Sequence, residues 1–290
     1  MVKTKKRVKN KSKFWKYFGK TLLFIIKIPY YIVKYVVKAI ILLVKVITFI
    51  VSKIISISKR MAKHHEEKSI KTKRESIKAI YEPFKIIETI GGDYEKWLDK
   101  SIKSDSQIGI IIGARGSGKT ALGIKFIENV YSKGREKCFA MGFKAYEFPS
   151  WIKVVSDISE IENNSWILID EGGILFNSRS SMSSANKLLS QLMLIARHKS
   201  INILFISQNS SNLEVNILRQ ADFLALKKSS LLQKDFERKI IQKVYSETQA
   251  KFEKYGENKG LAYIYSEQFK GFVSNPLPSF WKEEISKSFK

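Results

Sequence analysis

The chain has 290 residues, of which 44% are hydrophobic, with one cysteine, three histidines and a formal net charge of +25. One cysteine excludes an internal disulfide framework, and the histidines show no metal-ligand spacing, so no structural zinc is expected. The charge is uneven: residues 1–80 hold 22 Lys and Arg against three acids, a net of +19, and the rest carries only +6. Such asymmetry points to anionic lipid or nucleic acid beside the N-terminal segment, with a merely solvated Lys-rich tail as the bland alternative.

In chain order, residues 1–13 read as a basic arm and residues 14–58 as an oily segment. Residues 59–80 read as a charged linker, and residues 81–290 as the main domain with a helical and aromatic C-terminal extension. On a helix of 100° per residue, Lys16, Lys20, Lys27, Lys34, Lys38 and Lys45 fall within about 40° of one another. Lys53 drifts off by about a quarter turn. The remaining surface is aliphatic or aromatic, and Pro29 is expected to bend or divide the helix. Three readings stay open. The favoured one is an amphipathic helix lying on an anionic membrane, because lysines in the interface cost little. The second is a spanning helix, against which stand mid-bilayer lysines at about 2.5–3.5 kcal/mol each. The third is a helix buried in a protein bundle. Broken by lysines and lacking a small-residue cleavage site, the segment is not a convincing signal peptide.

From residue 81 short β-rich runs alternate with helical stretches, as in an α/β domain with a mostly parallel sheet. Strands are predicted at 108–113, 137–142, 166–171, 201–208, 221–227 and 262–267. Helices are predicted at 119–132, 182–198 and 231–254, and the serine-rich 178–187 reads as a loop leading into a helix. Near the C-terminus, Phe269, Phe272, Phe280 and Trp281 surround two prolines. They are either a docking surface or a terminal segment packed on its own domain.

"GARGSGKT" (113–120) matches G-x-x-x-x-G-K-[ST] in full. Gly113, Ala114, Arg115, Gly116, Ser117 and Gly118 would turn consecutive N–H groups toward a phosphate. Lys119 would place a charge on the β- and γ-phosphates, and the Thr120 hydroxyl would ligate Mg²⁺. "WILIDE" (166–171) ends in two acids. Asp170 would hold Mg²⁺ and Glu171 would orient and deprotonate water. Gly172 and Gly173 would allow close approach of the backbone to the γ-phosphate, or simply make a turn. The adjacent acids Asp170 and Glu171 point to ATP hydrolysis by a P-loop NTPase of the additional-strand, catalytic-glutamate class rather than to a GTPase, and no N-K-x-D guanine signature is present. If "ILFISQN" lies between the first two strands, Gln208 would reach the γ-phosphate.

These motifs, with "LMLIARHKS" and "INILFISQNSSNLEVNILRQADFLALKK", resemble the FtsK–HerA superfamily of P-loop ATPases over roughly residues 105–228. Within it the chain is most similar to the branch holding Zot-like phage morphogenesis ATPases and archaeal viral packaging ATPases. The resemblance implies a homo-oligomer, commonly a hexameric ring, completed by an arginine from the neighbour. Arg197 matches that position best, with Arg179 and Arg219 as alternatives. It further implies ATP with Mg²⁺, double-stranded DNA as the polymer moved, and a location on the cytoplasmic face of a membrane reached through residues 14–58. Two departures stand out: no DNA-reading module is recognisable at the C-terminus, and the oily segment precedes the ATPase domain. Alternative functions are morphogenesis without DNA pumping, and a non-catalytic membrane scaffold.

Overall fold

A computed structural model describes residues 2–134, 137–171 and 182–287. The chain forms two compact units, residues 1–69 and residues 70–290. Helix α1 (Val2–Ser76) makes up the first and contributes its last turns to the second. Within the first unit, Lys27–Met61 has a mean hydropathy of 2.5 and none of its apolar window is buried. At 1.5 Å per residue it is about 50 Å long, which exceeds a hydrocarbon core of about 30 Å. The hydroxyls of Thr48, Ser52 and Ser56 donate to the carbonyls three residues earlier, at 2.8–2.9 Å, so these polar groups are satisfied inside the helix. Helix α1 continues across Pro29, so the expected division does not occur. The helix also runs on through residues 59–76, which the sequence reads as linker.

The second unit is built on a nine-stranded mixed sheet. Its elements are β1 (Lys85–Gly92), α2 (Tyr94–Lys103), β2 (Ile108–Ile112), α3 (Lys119–Ser132), β3 (Cys138–Met141), β4 (Ile152–Val155), β5 (Ser165–Asp170), α4 (Met182–Lys199), β6 (Ile201–Ser207), α5 (Val215–Arg219), β7 (Phe223–Leu226), α6 (Leu231–Phe236), α7 (Lys239–Lys254), β8 (Leu261–Ser266), β9 (Phe269–Ser274) and α8 (Glu283–Lys287). The order is β1-β9-β8-β7-β2-β6-β5-β3-β4. The run from β7 to β4 is parallel, and β8, β9 and β1 add an antiparallel edge. Strand alternation sends Ile111 to one face and Ile110 and Ile112 to the other. On the first face α2 and α3 cover the sheet, with the Trp97 ring against those of Phe126, Phe223 and Phe269, and Phe126 against Phe223. On the second face lie α4, α5 and α7. Burying each such large side chain contributes about 1.5–3 kcal/mol.

The six strands read from the sequence are present, and three are added. β1 is an exposed edge strand with two irregular registers, so it lacks alternation. β4 has only four residues. β9 is interrupted by Gly271, where a Cβ would meet the Phe269 ring and the Glu88 carbonyl at 2.5 Å. The helix expected over 231–254 is two helices, broken at Glu237 and Arg238, which take extended conformations. Among the C-terminal aromatics, Phe269, Phe272 and Phe280 are buried and Trp281 packs on the core, so they are not a free docking surface.

A strap from residues 74 to 84 crosses the body beside α3. Arg74 Nε donates to the Phe148 carbonyl at 2.6 Å. Ile80 N–H donates to Glu128, Lys125 Nζ donates to the Ile80 carbonyl, and Asn129 brackets Glu82 through both N–H and C=O. Lys125 and Glu128 are fully buried and 3.0 Å apart, and Ser279 from the C-terminal segment also donates to Glu128. Removing one member of such a pair leaves an unpaired buried charge, which costs about 3–5 kcal/mol. Glu128→Ala is therefore expected to shift the urea midpoint strongly downward. The double change Lys125→Met with Glu128→Leu is expected to recover most of that loss, and equal midpoints for the two variants would show that the ion pair is not the fastening.

Candidate phosphate-binding site

β2 is buried along its whole length, and at its carboxyl end the chain turns through Gly113–Gly118 into α3. Two constraints select glycine here. Gly116 and Gly118 sit at φ +76° and +86°, in the left-handed region, and Gly118 is the N-cap of α3. At Gly113 a Cβ would stand 2.5 Å from Cβ of Lys227 and 3.0 Å from Ser117 Oγ. Gly123, one turn into α3, lets the helix lie close on β5 and β6, since a Cβ there would meet Leu168 at 2.8 Å. The first turn of α3 is thus held against the loop with its N–H groups free to face an anion.

Lys119 is buried, and its ammonium donates to the carbonyls of Gly113 at 2.7 Å and Ala114 at 2.9 Å. Burial lowers its pKa to about 8, against the opposing charges of Asp170, Glu171 and Glu237. Thr120 Oγ1 stands 3.5 Å from Asp170 Oδ2 at the end of β5. Glu171 follows, also buried, and desolvation raises its pKa. Ser207 Oγ donates to Glu171 Oε2 at 2.6 Å, and the Gln208 backbone and Asn212 side chain also bond this carboxylate and hold the charged form. Gln208 lies exposed just past β6.

The decisive placement is β6 between β2 and β5. It brings Lys119, Thr120, Asp170, Glu171 and Gln208 to the carboxyl ends of three adjacent parallel strands. In the loop, Ser117 Oγ is buried with no hydrogen-bond partner among the described residues, which fits a hydroxyl placed to meet an anion. The hydroxyl of Thr120 and the carboxylate of Asp170 form a hard oxygen pair that suits Mg²⁺, which takes few protein ligands beside phosphates.

Arg197 is not part of this cluster. It is exposed near the end of α4, where the Lys199 carbonyl accepts from Asn164 just before β5. That is the amino-terminal edge of the strands, about 20 Å from the loop at 3.3 Å per residue along β6. Arg219, also exposed, ends α5 ahead of β7. Gly172, Gly173 and Arg179 lie outside the described residues.

Two side chains beside the loop are absent from the sequence reading. Glu237, buried between α6 and α7, carries one of the three charges that act on Lys119. Lys227 is fully buried at the end of β7, its Nζ donating to the Gly260 carbonyl at 2.7 Å and Asn275 Oδ1 at 2.6 Å. Neither has a local sequence signal, because a lysine ending a strand and a glutamate in a charged helix both read as solvated.

No family model matches the chain, and no curated protein matches it. Solved structures do. B204, the DNA-packaging ATPase from Sulfolobus turreted icosahedral virus, is 18% identical with a TM-score of 0.41, over 60% of this chain and 98% of that one. The pCW3 conjugation coupling protein TcpA is 12% identical with a TM-score of 0.41, over 64% of each chain. The N-terminal domain of zonular occludens toxin from Neisseria meningitidis is 14% identical with a TM-score of 0.35, over 63% of this chain and 97% of that one.

Burial with only neutral acceptors lowers Lys227 from 10.5 to about 7. Between those values the unfolded chain binds the proton and the folded chain does not, so this group makes stability rise with pH. The melting temperature of the unaltered chain minus that of Lys227→Met is expected to grow from pH 7 to pH 9.5. A difference independent of pH would show that the amine keeps its proton on folding.

Proposed function

We propose that the chain is an ATP-hydrolysing motor of the additional-strand class that translocates double-stranded DNA while held at a membrane by residues 14–58. The position of β6, between the strand that enters the phosphate loop and the strand that ends in Asp170 and Glu171, carries the hydrolytic part. On this reading the N–H groups of Arg115, Gly116, Gly118, Lys119 and Thr120 hold the phosphates of ATP, while those of Ala114 and Ser117 donate to the carbonyls of Lys228 and Ala114 and hold the loop, which begins at Gly113, in shape. Lys119 neutralises the β and γ groups. Thr120 and Asp170 would hold Mg²⁺, which when bound withdraws charge from the phosphate oxygens. Glu171 takes the proton of the attacking water: burial raises its basicity, and the Ser207 hydroxyl orients it. Gln208, exposed at the end of β6, meets the γ-phosphate.

Arg197 stands too far from its own site to reach the nucleotide. As a finger it would serve a neighbouring copy, which fits a closed ring, commonly a hexamer. DNA as the polymer follows from the sequence resemblance, and the concentrated basic charge suits an anionic neighbour. A second reading, virion morphogenesis or export at a membrane without DNA pumping, is favoured by the unburied apolar stretch Lys27–Met61. Its lysines suit the anionic, cytoplasmic leaflet.

ATP turnover by the full chain in anionic vesicles tests both. Lys119→Ala is expected to abolish it, and Glu171→Gln to lower kcat by about 10²–10⁴-fold while ATP still binds. Stimulation by double-stranded DNA that disappears at high salt would support translocation, since phosphate contacts release counterions. Turnover that needs the vesicles and ignores DNA would favour morphogenesis, and turnover equal to the Lys119→Ala blank in vesicles with DNA would overturn the motor reading.

A further inference from the structure

The loop after β6 supplies the hydrogen-bond donors of Glu171 from Ser207, Gln208 and Asn212. That loop is in turn held from one side by the break between α6 and α7. Ser210 N–H donates to Glu237 Oε2 at 2.6 Å. Arg238 N–H donates to Ser210 Oγ at 2.9 Å. The Arg238 guanidinium donates through Nε to the carbonyls of Ser210 and Leu213 at 3.1 Å, and through Nη2 to Leu213 as well. Gln233 Nε2 bridges the Gln208 carbonyl at 2.5 Å and Glu237 Oε1 at 2.8 Å. Backbone groups of Gln208, Ser210 and Leu213 are therefore all fixed by one six-residue segment.

Helix stability does not account for this arrangement. A carboxylate at the C-cap of α6 opposes the helix dipole, and burying it at 5% exposure is costly unless its partners repay the lost water. A single longer helix over 231–254 would avoid both terms. The break instead aims two charged side chains at backbone groups of the loop that carries Gln208.

We propose that Glu237 and Arg238 are positioning residues for hydrolysis: they fix the loop 207–213 so that its donors orient Glu171 and its amide, Gln208, meets the γ-phosphate. The proposal rests on the ATPase reading above and adds residues that touch neither nucleotide nor metal. A positioning role predicts that loosening the clamp slows the chemical step and spares nucleotide binding, because the phosphate loop itself is unchanged.

The full chain in anionic vesicles would be compared with Glu237→Gln, Arg238→Gln, Arg238→Lys and Gln233→Ala for kcat, KM for ATP and amide exchange at residues 208–213. Arg238→Gln is expected to lower kcat about tenfold or more with KM within about twofold, and to quicken exchange in the loop; Glu237→Gln, which also removes one of the charges acting on Lys119, is expected to lower kcat and quicken exchange with KM shifted as well. Arg238→Lys, whose ammonium still reaches a carbonyl, is expected to recover part of kcat. Faster exchange with unchanged kcat would overturn the proposal, and so would kcat and ATP affinity falling together in Arg238→Gln. Should the Glu237 and Arg238 variants not fold, Gln233→Ala decides alone, since it removes only the bridge to Gln208 and Glu237. If the unaltered chain turns over no ATP, the ATPase reading fails. The clamp is then judged by whether a non-hydrolysable ATP analogue slows exchange at 208–213 in the unaltered chain and fails to do so in Arg238→Gln.

Discussion

The insertion of β6 between β2 and β5 is the constraint on which the rest depends. Without it, the loop at the end of β2 and the acids at the end of β5 would stand on adjacent strands with no polar group between them. With it, the side chains past β6 occupy the gap. The parallel registers on both sides keep all three strand ends level. Both faces of the sheet are covered, so the strand is apolar from Ile203 to Ile206; the buried Asn202 near its start is bonded to Gln107 and Ser104, and the exposed Gln208 comes just past its end.

Charge in this region is managed by burial as much as by pairing. Lys119, Glu171, Glu237 and Lys227 are all nearly inaccessible, yet each has different company. Lys119 looks toward three acids, Glu171 and Glu237 receive backbone and side-chain donors, and Lys227 has two neutral acceptors. A buried amine without a counter-charge is the costly member of the set. The Cβ and backbone of that lysine lie directly against Gly113, whose missing Cβ is what allows the two to approach.

The parts of the site that were legible in the sequence are those whose chemistry is local. Gly113–Thr120 announces itself because spacing and residue type are both dictated by one phosphate. Asp170, Glu171 and Gln208 are legible because each ends an apolar run. Glu237, Arg238 and Lys227 are hidden because, Gln233 apart, their partners lie between 25 and 48 residues away, and no periodicity records such a contact. The same reasoning explains the fold. Buried central strands were readable, whereas the edge strands β1 and β4 and the glycine-interrupted β9 lacked the pattern. The break in 231–254 was missed because "FERK" is good helix sequence, and only tertiary bonds to Ser210 and Leu213 favour extended backbone there.

The strap beside α3 has a mechanical consequence. Residues 80 and 82 are bonded to side chains two turns along the helix whose first turn adjoins the phosphate loop. Those side chains are anchored from the C-terminal segment as well, through Ser279. Tension on the chain ahead of Ser76 is therefore delivered to α3 through hydrogen bonds and a buried ion pair, and not dissipated in a slack tether. The helix that would sense a phosphate at one end is, at its other end, the point where the preceding segment grips the body.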